Sequence, residues 1–496
     1  MSLCETAVTL SRRDFIKGVA TVPILGPGAV SIESSRELVN DVHTGLNATW
    51  VDRVVRPTSV IDIQSVIQEC RRQKKVLSVS GSRHATGGQQ FAEKSMLLDI
   101  RSFNRVIDLD IATGILKVES GIEWPELVRD CLALQTQNAV WGIRQKQGGA
   151  DRMTLAGALS ANAHGHCLGS PPVIADVDWI EIVTAEGTVE RCDREKNREL
   201  FALAIGGYGL FGVITMVGLR LARRSKIRRR AEMRTIAELP TLIENRTMRG
   251  ASYGYFQYSI DETSEEFMRT GVLTTYEQVT ADAAINSEAR DIDPEVLTAL
   301  LELAHFDRGA AYRKYAALEL ARDGQIEWSD LHQLSSYPAG YHKTIESRRG
   351  AVQAGADLIL EVYVPRQQLI SFIEDARYLL LQSRVPLIYG TVRFIERDKE
   401  SYLAWAKKPY ACVIFTPHVA TGDSSIRRAR EICRQLERFA TRRGGSFYLT
   451  YNRFAARREL DSAYPQFSDF LTLKKKYDPL EIFQSEWYRY YKDLYK

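Results

Sequence analysis

Apolar and polar positions in the first part of the chain, residues 49–221, follow two different periods. In Val60–Gln73 apolar residues recur every three or four positions, which predicts a helix with one buried face. The apolar run Val76–Val79 predicts a strand, and Asp178–Ala185 alternates as a half-buried strand does. Short strands mixed with helices in this way predict an α+β domain with a mixed sheet.

After the basic run Arg223–Arg230 the apolar stretches become longer. Several long strands separated by helices predict one antiparallel sheet that is backed by helices. The predicted strands are Tyr253–Ile260, Ile359–Pro365, Leu387–Ile395, Ala411–Pro417 and Ser446–Arg453. The predicted helices are Val296–Asp323, Arg366–Ser383 and the first part of Phe467–Lys496. The basic run itself is interpreted as a solvated linker between domains.

Length, charge and cysteine content limit the kind of protein. A chain of 496 residues is too long for one ordinary core, so two or three domains are expected. A net charge of +4 is small for this length and gives no reason to expect nucleic acid as a partner. The 7 cysteines are scattered without a CxxC pair, which argues against a disulfide framework or a zinc site.

The N-terminus carries a targeting pattern. Arg12, Arg13 and Phe15 precede a weakly apolar stretch, Gly18–Val30, which prolines interrupt and which is too short to span a bilayer. Paired arginines before such a stretch resemble a twin-arginine export signal, with a disordered basic leader as the alternative. The sequence therefore predicts export to the periplasm or extracellular space through the twin-arginine machinery, and no stable transmembrane helix.

The most informative segment is Val76–Phe91, which reads VLSVSGSRHATGGQQF. A strand ends at Gly81 and a glycine-rich loop follows, with Arg83 and His84 at its crest. Glycines let the backbone come close to a ligand, and consecutive loop N–H groups form a nest for phosphate. One histidine in such a loop can bond to a cofactor. The loop therefore predicts a tightly held cofactor that carries phosphate.

Two further segments contain many residues with small side chains. Met153–His166 is rich in alanine and glycine, so a large flat ligand could lie against its backbone. Its end, His164-Gly165-His166-Cys167, invites a metal assignment, which we disfavour because the chain shows no second ligand cluster nearby. The other segment, Gly206–Thr215, satisfies GxGxxG, but a helical stretch precedes it and a strand follows. A Rossmann site needs the reverse order, so a backbone-lined cofactor edge fits better than a nicotinamide site.

These three segments, in this order, resemble the FAD-binding domain of the vanillyl-alcohol oxidase family, the p-cresol methylhydroxylase (PCMH) type. The pieces VRPTSV at Val55, LLDI at Leu97 and VESGIEW at Val118 add to the resemblance. It implies an α+β fold with a two-part PCMH-type FAD-binding domain and an antiparallel-sheet substrate or cap domain backed by helices. The implied parts are a signal segment at residues 1–33, the FAD-binding domain at 34–225, the cap domain at 226–455, and a C-terminal segment at 456–496 that returns to the FAD-binding domain.

The resemblance also implies which residues hold FAD. In this family the first loop cradles the pyrophosphate, and a histidine at the place of His84 often carries an 8α bond to the flavin. Covalent FAD through His84 is therefore expected, with an ordinary loop histidine and non-covalent FAD as the alternative. No cysteine stands in Trp141–Gly149, so a second link like that of the berberine-bridge subgroup is not expected. The implied FAD-binding residues are Ser80, Gly81, Ser82, Arg83, His84, Ala85, Thr86, Gly87, Gly88, Gly121, Thr154, Gly157, Ala158, Ser160, Asn162, His164, Gly207, Gly209, Gly212 and Ile214.

The predicted strand Leu387–Ile395 is the best candidate for a substrate site. With period two, Tyr389, Thr391 and Arg393 share one face. Arginine is always charged and donates in a fixed fork, so Arg393 could stabilise negative charge on reduced flavin or on a substrate oxygen. A salt-bridged sheet residue is the alternative. Sugar-lactone and alditol oxidases resemble this strand but have E-V-R, and Thr391 replaces the glutamate.

Other residues are candidates for a catalytic base or for the pocket wall. Glu396 lies just past the strand and could replace the missing glutamate, while His418 follows another strand. In Ser446–Arg453 the alternation places Tyr448, Thr450 and Asn452 on one face. The candidate catalytic residues are Arg393, Tyr389, Glu396 and His418.

The sequence thus predicts an FAD-dependent oxidoreductase that moves a hydride from a CH–OH donor to flavin N5. The expected small-molecule substrate is a sugar, an alditol or an aldonolactone-like compound, and the expected electron acceptor is oxygen or a quinone-like molecule. A flavin dehydrogenase of the cytokinin or amine type on the same fold is the enzymatic alternative. A non-catalytic binding protein is the alternative from another class.

Overall fold

The computed structural model describes residues 36–135, 139–285, 292–335, 345–348, 350 and 354–496, and all of these belong to one compact unit. The export-signal prediction for residues 1–33 lies outside the described residues. Within the described ranges, no helix is both long and apolar enough to cross a membrane. Three sheets and the helices packed on them position the site.

The first half contains a small parallel sheet and a five-stranded antiparallel sheet, with strand orders β3-β5-β4 and β10-β9-β11-β7-β6. Its strands are β1 (Glu37–Val39), β2 (Thr49–Val51), β3 (Arg53–Val55), β4 (Leu77–Ser80), β5 (Met96–Asp99), β6 (Val106–Asp110), β7 (Ile115–Glu119), β8 (Trp141–Gly142), β9 (Val177–Val183), β10 (Val189–Asp193), β11 (Val213–Arg220) and β12 (Ala222–Arg223). Its helices are α1 (Val60–Gln73), α2 (Trp124–Ala133), α3 (Leu155–Ser160) and α4 (Arg198–Ala204).

The bounds of α1 show how local sequence sets an element. Ser59 caps the helix by accepting from the Asp62 N–H, while the Asp62 carboxylate accepts from the Ser59 N–H, so both donors at the helix start are satisfied. Ile63, Val66 and Ile67 lie on the buried face. The predicted and observed bounds of this helix are the same.

The second half is built on a nine-stranded sheet in which the paired strands run antiparallel. The order is β16-β13-β15-β14-β19-β20-β18-β21, with β17 beside β20. Its strands are β13 (Lys226–Thr235), β14 (Ala251–Tyr258), β15 (Thr270–Gln278), β16 (Ile326–Trp328), β17 (Gly355–Asp357), β18 (Leu360–Pro365), β19 (Leu387–Ile395), β20 (Tyr410–Ala420) and β21 (Ser446–Phe447). The helices of this half and of the C-terminus are α5 (Leu239–Met248), α6 (Pro294–Ala304), α7 (Arg308–Ala321), α8 (Leu369–Ser383), α9 (Asp423–Arg442), α10 (Arg457–Ala463), α11 (Phe467–Tyr477) and α12 (Glu486–Asp493). The α+β class and the antiparallel sheet with covering helices are confirmed.

The interpretation of Arg223–Arg230 as a linker was wrong. Most of this run lies in β13, between β15 and β16, and Arg229 is only 1% exposed. Ile227, Arg229 and Ala231 alternate on the buried face of β13, and the Arg229 charge is balanced by an ion pair with Glu319. A run of arginines can therefore form a central strand when a buried carboxylate faces it.

Two other elements differ from the prediction. The strand predicted over Ser446–Arg453 ends at Phe447, and turns follow, so its residues do not keep alternate faces. The helix predicted over Val296–Asp323 is two helices, because Asp307 caps a new start by accepting from the Ala310 N–H.

The end of the chain packs on the first half. The Gln484 N–H donates to the Leu77 carbonyl (2.9 Å), and the Leu77 N–H donates to the Ile482 carbonyl (2.8 Å). Nearby, the Trp487 ring lies on Tyr208 with ring centroids 4.6 Å apart. The C-terminal segment thus supports both β4, which leads into the glycine-rich loop, and the Gly206–Thr215 segment.

Candidate active site

A cavity of about 510 Å³ lies where the glycine-rich segments meet the nine-stranded sheet. The first half contributes the loop after β4, the start and backbone of α3, and the Gly209–Ile214 region. The second half contributes residues of β14, β15, β18 and β19 and the turn after β21. The three segments that the sequence singled out and the predicted substrate strand therefore share one cavity.

The glycine-rich loop is held against α3 by close packing. A Cβ on Gly81 would stand 2.0 Å from Thr154 Oγ1, so this approach requires glycine. Arg83 adopts a left-handed backbone conformation, with φ of 63°. A non-glycine residue in that conformation is held there by its surroundings, which here include the Arg83 carbonyl accepting from the Val42 N–H (3.0 Å).

His84 lies on the cavity wall. Its Nδ1 is 3.1 Å from His43 Nε2, and its Nε2 is 2.8 Å from the Arg152 carbonyl oxygen. Burial lowers the pKa of His84 below its usual range, although the bond to the Arg152 carbonyl opposes this shift. The ring is therefore neutral near pH 7 and fixed in orientation on both sides.

The predicted FAD-binding residues divide into two groups. Those that line the cavity are Ser80, Gly81, Ser82, Arg83, His84, Ala85, Thr154, Gly157, Ala158, Ser160, His164, Gly209, Gly212 and Ile214. Those placed outside the cavity wall are Thr86, Gly87, Gly88, Gly121, Asn162 and Gly207.

The second group contributes to packing around the cavity. A Cβ on Gly121 would stand 2.0 Å from the Ile100 carbonyl oxygen, and one on Gly207 would stand 1.9 Å from the Leu203 carbonyl oxygen. Asn162 donates to Asp398 (2.8 Å) and accepts from the Ile174 N–H (3.1 Å). These residues fix the backbone that carries the cavity wall.

The wall of the first half fits a flavin nucleotide. Among the described residues, Ser80 Oγ and Arg83 Nε are buried without a hydrogen-bond partner, and both residues line the cavity. Gly209 has φ of 74° and open space where a Cβ would point, so its backbone is exposed to the cavity. Unused donors beside bare backbone suit an anionic, flat cofactor.

Arg393 and Tyr389 line the opposite wall, on β19. Among the described residues the buried Nε of Arg393 has no hydrogen-bond partner, while its charge lowers the pKa of Glu361. Its guanidinium lies against the backbone of Gly148, where a Cβ would stand 2.1 Å from Nη2. Thr391 is not among the residues on the described cavity wall and donates its hydroxyl to the Phe256 carbonyl (3.0 Å).

Glu361 on β18 lines the same wall and was missed in the sequence analysis. Its carboxylate hydrogen-bonds to His164 Nε2 and to the hydroxyls of Tyr363 and Tyr451. Burial alone would raise the pKa of Glu361, but the His164 charge and hydrogen bond outweigh it and hold the pKa at about 2. The available signal was a single carboxylate in the otherwise apolar run Ile359–Val364.

Glu396 and His418 are not among the residues on the described cavity wall. Glu396 forms an ion pair with Arg366 (2.6 Å). His418 Nδ1 is 2.6 Å from Asp357 Oδ1, and the other carboxylate oxygen of Asp357 is 3.4 Å from His305 Nε2. Their position gives neither side chain direct access to a substrate in this cavity.

The His164–Cys167 run does not converge on one point. His164 faces Glu361, whereas His166 Nε2 lies 3.3 Å from His332 Nε2. Cys167 lies 3.0 Å from the Ser170 hydroxyl. These residues therefore face three different surroundings.

The cavity thus has two walls. One exposes backbone and unpartnered hydrogen-bond donors that suit a flavin nucleotide, and the other is a sheet that carries charged side chains. This arrangement is typical of an FAD-binding protein. Residues 51–193 match the family of FAD binding domains. The chain therefore contains an FAD-binding domain of this family, and the resemblance to the vanillyl-alcohol oxidase type is confirmed, as is FAD as the cofactor.

Individual relatives extend this picture. An uncharacterized oxidoreductase of the fasciation locus of Rhodococcoides fascians is 32% identical over 34% of this chain and 37% of its own length. A putative D-arabinono-1,4-lactone oxidase of Neurospora crassa is 26% identical over 38% of this chain and 33% of its own length. Cytokinin dehydrogenase 6 of Oryza sativa subsp. japonica is 23% identical over 75% of this chain and 80% of its own length. The matches to the first two thus span only about a third of those proteins.

Proposed function

We propose that this protein is an FAD-linked oxidoreductase that removes a hydride from a CH–OH donor. Sugar-like and aldonolactone-like compounds are the first candidate substrates. The observation that carries the proposal is the shared cavity, in which the FAD-type wall faces Arg393, Tyr389 and Glu361. The lactone oxidase named above supports the donor class through its match to the FAD-binding half. Oxygen or a quinone-like molecule is the proposed electron acceptor.

Residues of the first half would hold the cofactor. The loop after β4 offers N–H groups and the unpartnered Arg83 Nε to the phosphates, and the backbone at Gly157 and Gly209 offers flat contact. When bound, FAD supplies a two-electron acceptor for the hydride. Arg393 then stabilises negative charge that develops on the donor oxygen or on the reduced ring.

The donor hydroxyl must lose a proton, and the second wall positions a hydroxyl that can accept its hydrogen bond. The Tyr451 hydroxyl lies 3.2 Å from Glu361 Oε2, and Glu361 in turn contacts His164 Nε2. In this proposal the Glu361–His164 pair orients the Tyr451 hydroxyl toward the donor hydroxyl, whose proton is released to water, because a Glu361 pKa of about 2 does not let the carboxylate hold it at pH 7. Tyr389 orients the donor, because burial raises the pKa of its hydroxyl and keeps it protonated.

A dehydrogenase of the cytokinin type is the second candidate. The observation that favours it is the length of the match to cytokinin dehydrogenase 6, which reaches into the second half of the chain. A substrate screen separates the two candidates. The purified holoprotein is mixed with aldonolactones, alditols and isoprenoid-substituted amines, with a dye acceptor and with oxygen in parallel. Turnover of the amines alone would replace the CH–OH proposal, and a protein without flavin absorbance would end both.

Covalent attachment of FAD through His84 is part of the proposal. After acid precipitation, the yellow colour of the wild-type protein is expected in the pellet, and that of His84→Ala in the supernatant. His418→Ala, which changes a histidine away from the cavity wall, is the matched control and should keep its colour in the pellet. Colour that leaves the wild-type pellet would show non-covalent FAD.

We further propose that the twin-arginine route exports the protein with its cofactor in place. The support is the sequence pattern of Arg12, Arg13 and Phe15. Replacing Arg12 and Arg13 by lysine should retain the flavoprotein in the cytoplasmic fraction, whereas Lys17→Arg should still be exported. Equal export of the wild type, the double lysine variant and Lys17→Arg in a cell fractionation would refute the route.

A further inference from the structure

A second group of polar side chains lies beside the cavity, where β17 pairs with β20. His305 follows the last residue of α6, Asp357 ends β17, and His418 lies on β20. Two imidazole nitrogens and one carboxylate oxygen of these residues all lie within 4.8 Å of one another. We call the three residues the His–Asp–His cluster. They are far apart along the chain, so no sequence motif marked them.

Strand pairing fixes two members of the cluster. Asp357 and His418 are directly opposed in the antiparallel pair of β17 and β20, and His418 Nδ1 is 2.6 Å from Asp357 Oδ1. Gly355 leaves room for the imidazole, because a Cβ at this position would stand 2.4 Å from His418 Cε1. The register of the two strands therefore places the His418 ring next to the Asp357 carboxylate.

The third member comes from the end of a helix. His305 Nε2 is 3.4 Å from Asp357 Oδ2, and the His305 and His418 rings are nearly perpendicular (87°), with centroids 4.5 Å apart. Bonds of about 2.0–2.2 Å from Zn²⁺ to nitrogen and oxygen place neighbouring tetrahedral ligands about 3.4 Å apart. The distance from His305 to Asp357 already meets this spacing. The distance from His418 to Asp357 would widen by less than about 1 Å to meet it.

The cluster is buried but has a way in from solvent. The side chains of His305 and Asp357 are 0% and 4% exposed, whereas that of His418 is 14% exposed. Burial holds the three side chains in place, and the partly exposed His418 gives an ion a path to them.

Another cluster of potential ligands lacks these properties. His164, Glu361 and Cys412 also bring their ligand atoms together, but all three residues are buried. Burial raises the pKa of the Cys412 thiol well above its usual range, so the thiolate that a metal needs is absent near pH 7. The His–Asp–His cluster is therefore the better metal site of the two.

We propose that the His–Asp–His cluster binds one divalent transition-metal ion, with Zn²⁺ the best match, and that this ion fastens α6 to the sheet beside the cavity. Two imidazoles and a carboxylate suit Zn²⁺, whereas Mg²⁺ and Ca²⁺ prefer oxygen ligands. The ion takes the place of the proton between His418 Nδ1 and Asp357, and the neutral imidazole then carries its N–H on Nε2. A water molecule completes the fourth position.

The ion matters for the cavity because α6 forms part of its wall. Leu297 and Leu301 of α6 line the cavity, and so does Asp357. An ion that joins His305 to β17 and β20 therefore fixes one segment of this wall. The inference goes beyond the proposed function and does not depend on it, because Zn²⁺ binding is measured without substrate.

Zinc binding to the holoprotein tests the site. The protein is treated with a chelator, equilibrated with Zn²⁺ and desalted, and its zinc content is measured by elemental analysis. Titration against a chromophoric chelator gives the Kd. Wild type is expected to hold one zinc per chain. His418→Ala and Asp357→Asn should each weaken binding by at least about 100-fold, because even outer-shell partners of metal ligands contribute about 10- to 100-fold.

The matched control is His43→Ala, which removes a histidine outside the cluster and should bind Zn²⁺ as wild type does. Asp357→Asn preserves the shape of the side chain, so it tests the ligand even if His418→Ala does not fold. Wild type without stoichiometric zinc would overturn the inference. Equal zinc affinity in wild type and Asp357→Asn would overturn it as well.

Hydrogen exchange followed by mass spectrometry tests the fastening of α6. Amides of α6 should exchange at least about tenfold more slowly with Zn²⁺ present, because the end of the helix opens only after the ion is released. Amides of α1, in the other half of the chain, should not change, and Mg²⁺ should not reproduce the effect. Exchange in α6 that is unaffected by bound Zn²⁺ would refute the role given to the ion.

Discussion

Arg393→Ala is expected to lower kcat/KM by about 10²- to 10³-fold while the protein keeps its flavin. Arg393 lies on the cavity wall, and its charge already lowers the pKa of Glu361 on the same wall, so it can act equally on negative charge that develops in the cavity. It is held in place by the backbone of Gly148 and by its position on a central strand. A preorganised cation in a buried site stabilises developing negative charge at little reorganisation cost.

The measurement is steady-state kinetics at a fixed flavin content, read from the visible absorbance of each preparation. Arg393→Lys should recover only part of the loss, because a lysine cannot reproduce the planar fork. Arg269→Ala removes an exposed arginine paired with Glu374 and should leave kcat/KM unchanged. Full activity in Arg393→Ala would remove this residue from the mechanism.

Glu361→Gln is expected to lower kcat by about 10²-fold at pH 7. The amide no longer holds the Tyr451 hydroxyl with an anionic acceptor, and it leaves His164 without its anionic partner. Glu374→Gln is the matched control for kinetics. Unchanged kcat in Glu361→Gln would show that this carboxylate does not position Tyr451 for the reaction.

The same variant should change the acid stability of the protein. The pKa of Glu361 is about 2 in the folded state and near 4.5 in a free side chain, so folding favours the ionised form. The associated stability is present above about pH 4.5 and is lost as the pH falls toward 2. Wild type should therefore lose stability more steeply than Glu361→Gln across this window. Acid unfolding followed by flavin fluorescence checks the slope, and parallel curves would contradict the assignment.

The parts of the site that local sequence specifies were predictable. The glycines of Gly81–Gly88 mark a loop directly after a strand, and capping by Ser59 sets the start of α1. Both features are visible in a short window of sequence. The Gly206–Thr215 segment was likewise interpreted from its immediate neighbours, a helix before and a strand after.

What could not be predicted depends on contacts between distant segments. Glu361 becomes functional only because His164, 197 positions away, meets its carboxylate. Arg229 is buried only because Glu319, 90 positions away, balances its charge. When that partner is unknown, a run of arginines is interpreted as a solvated segment. Likewise, a single glutamate in an apolar strand does not by itself indicate a role in the site.

The contact between Gln484 and Leu77 has a consequence for the order in which the protein matures. Leu77 begins the strand that leads into the glycine-rich loop, yet its backbone partners, Ile482 and Gln484, are synthesised long after it. Domains that fold during synthesis usually complete themselves from the N-terminus. Here the cofactor wall obtains this support only after Ile482 and Gln484 have been synthesised, so we expect capture of the cofactor to follow synthesis of the segment that contains them.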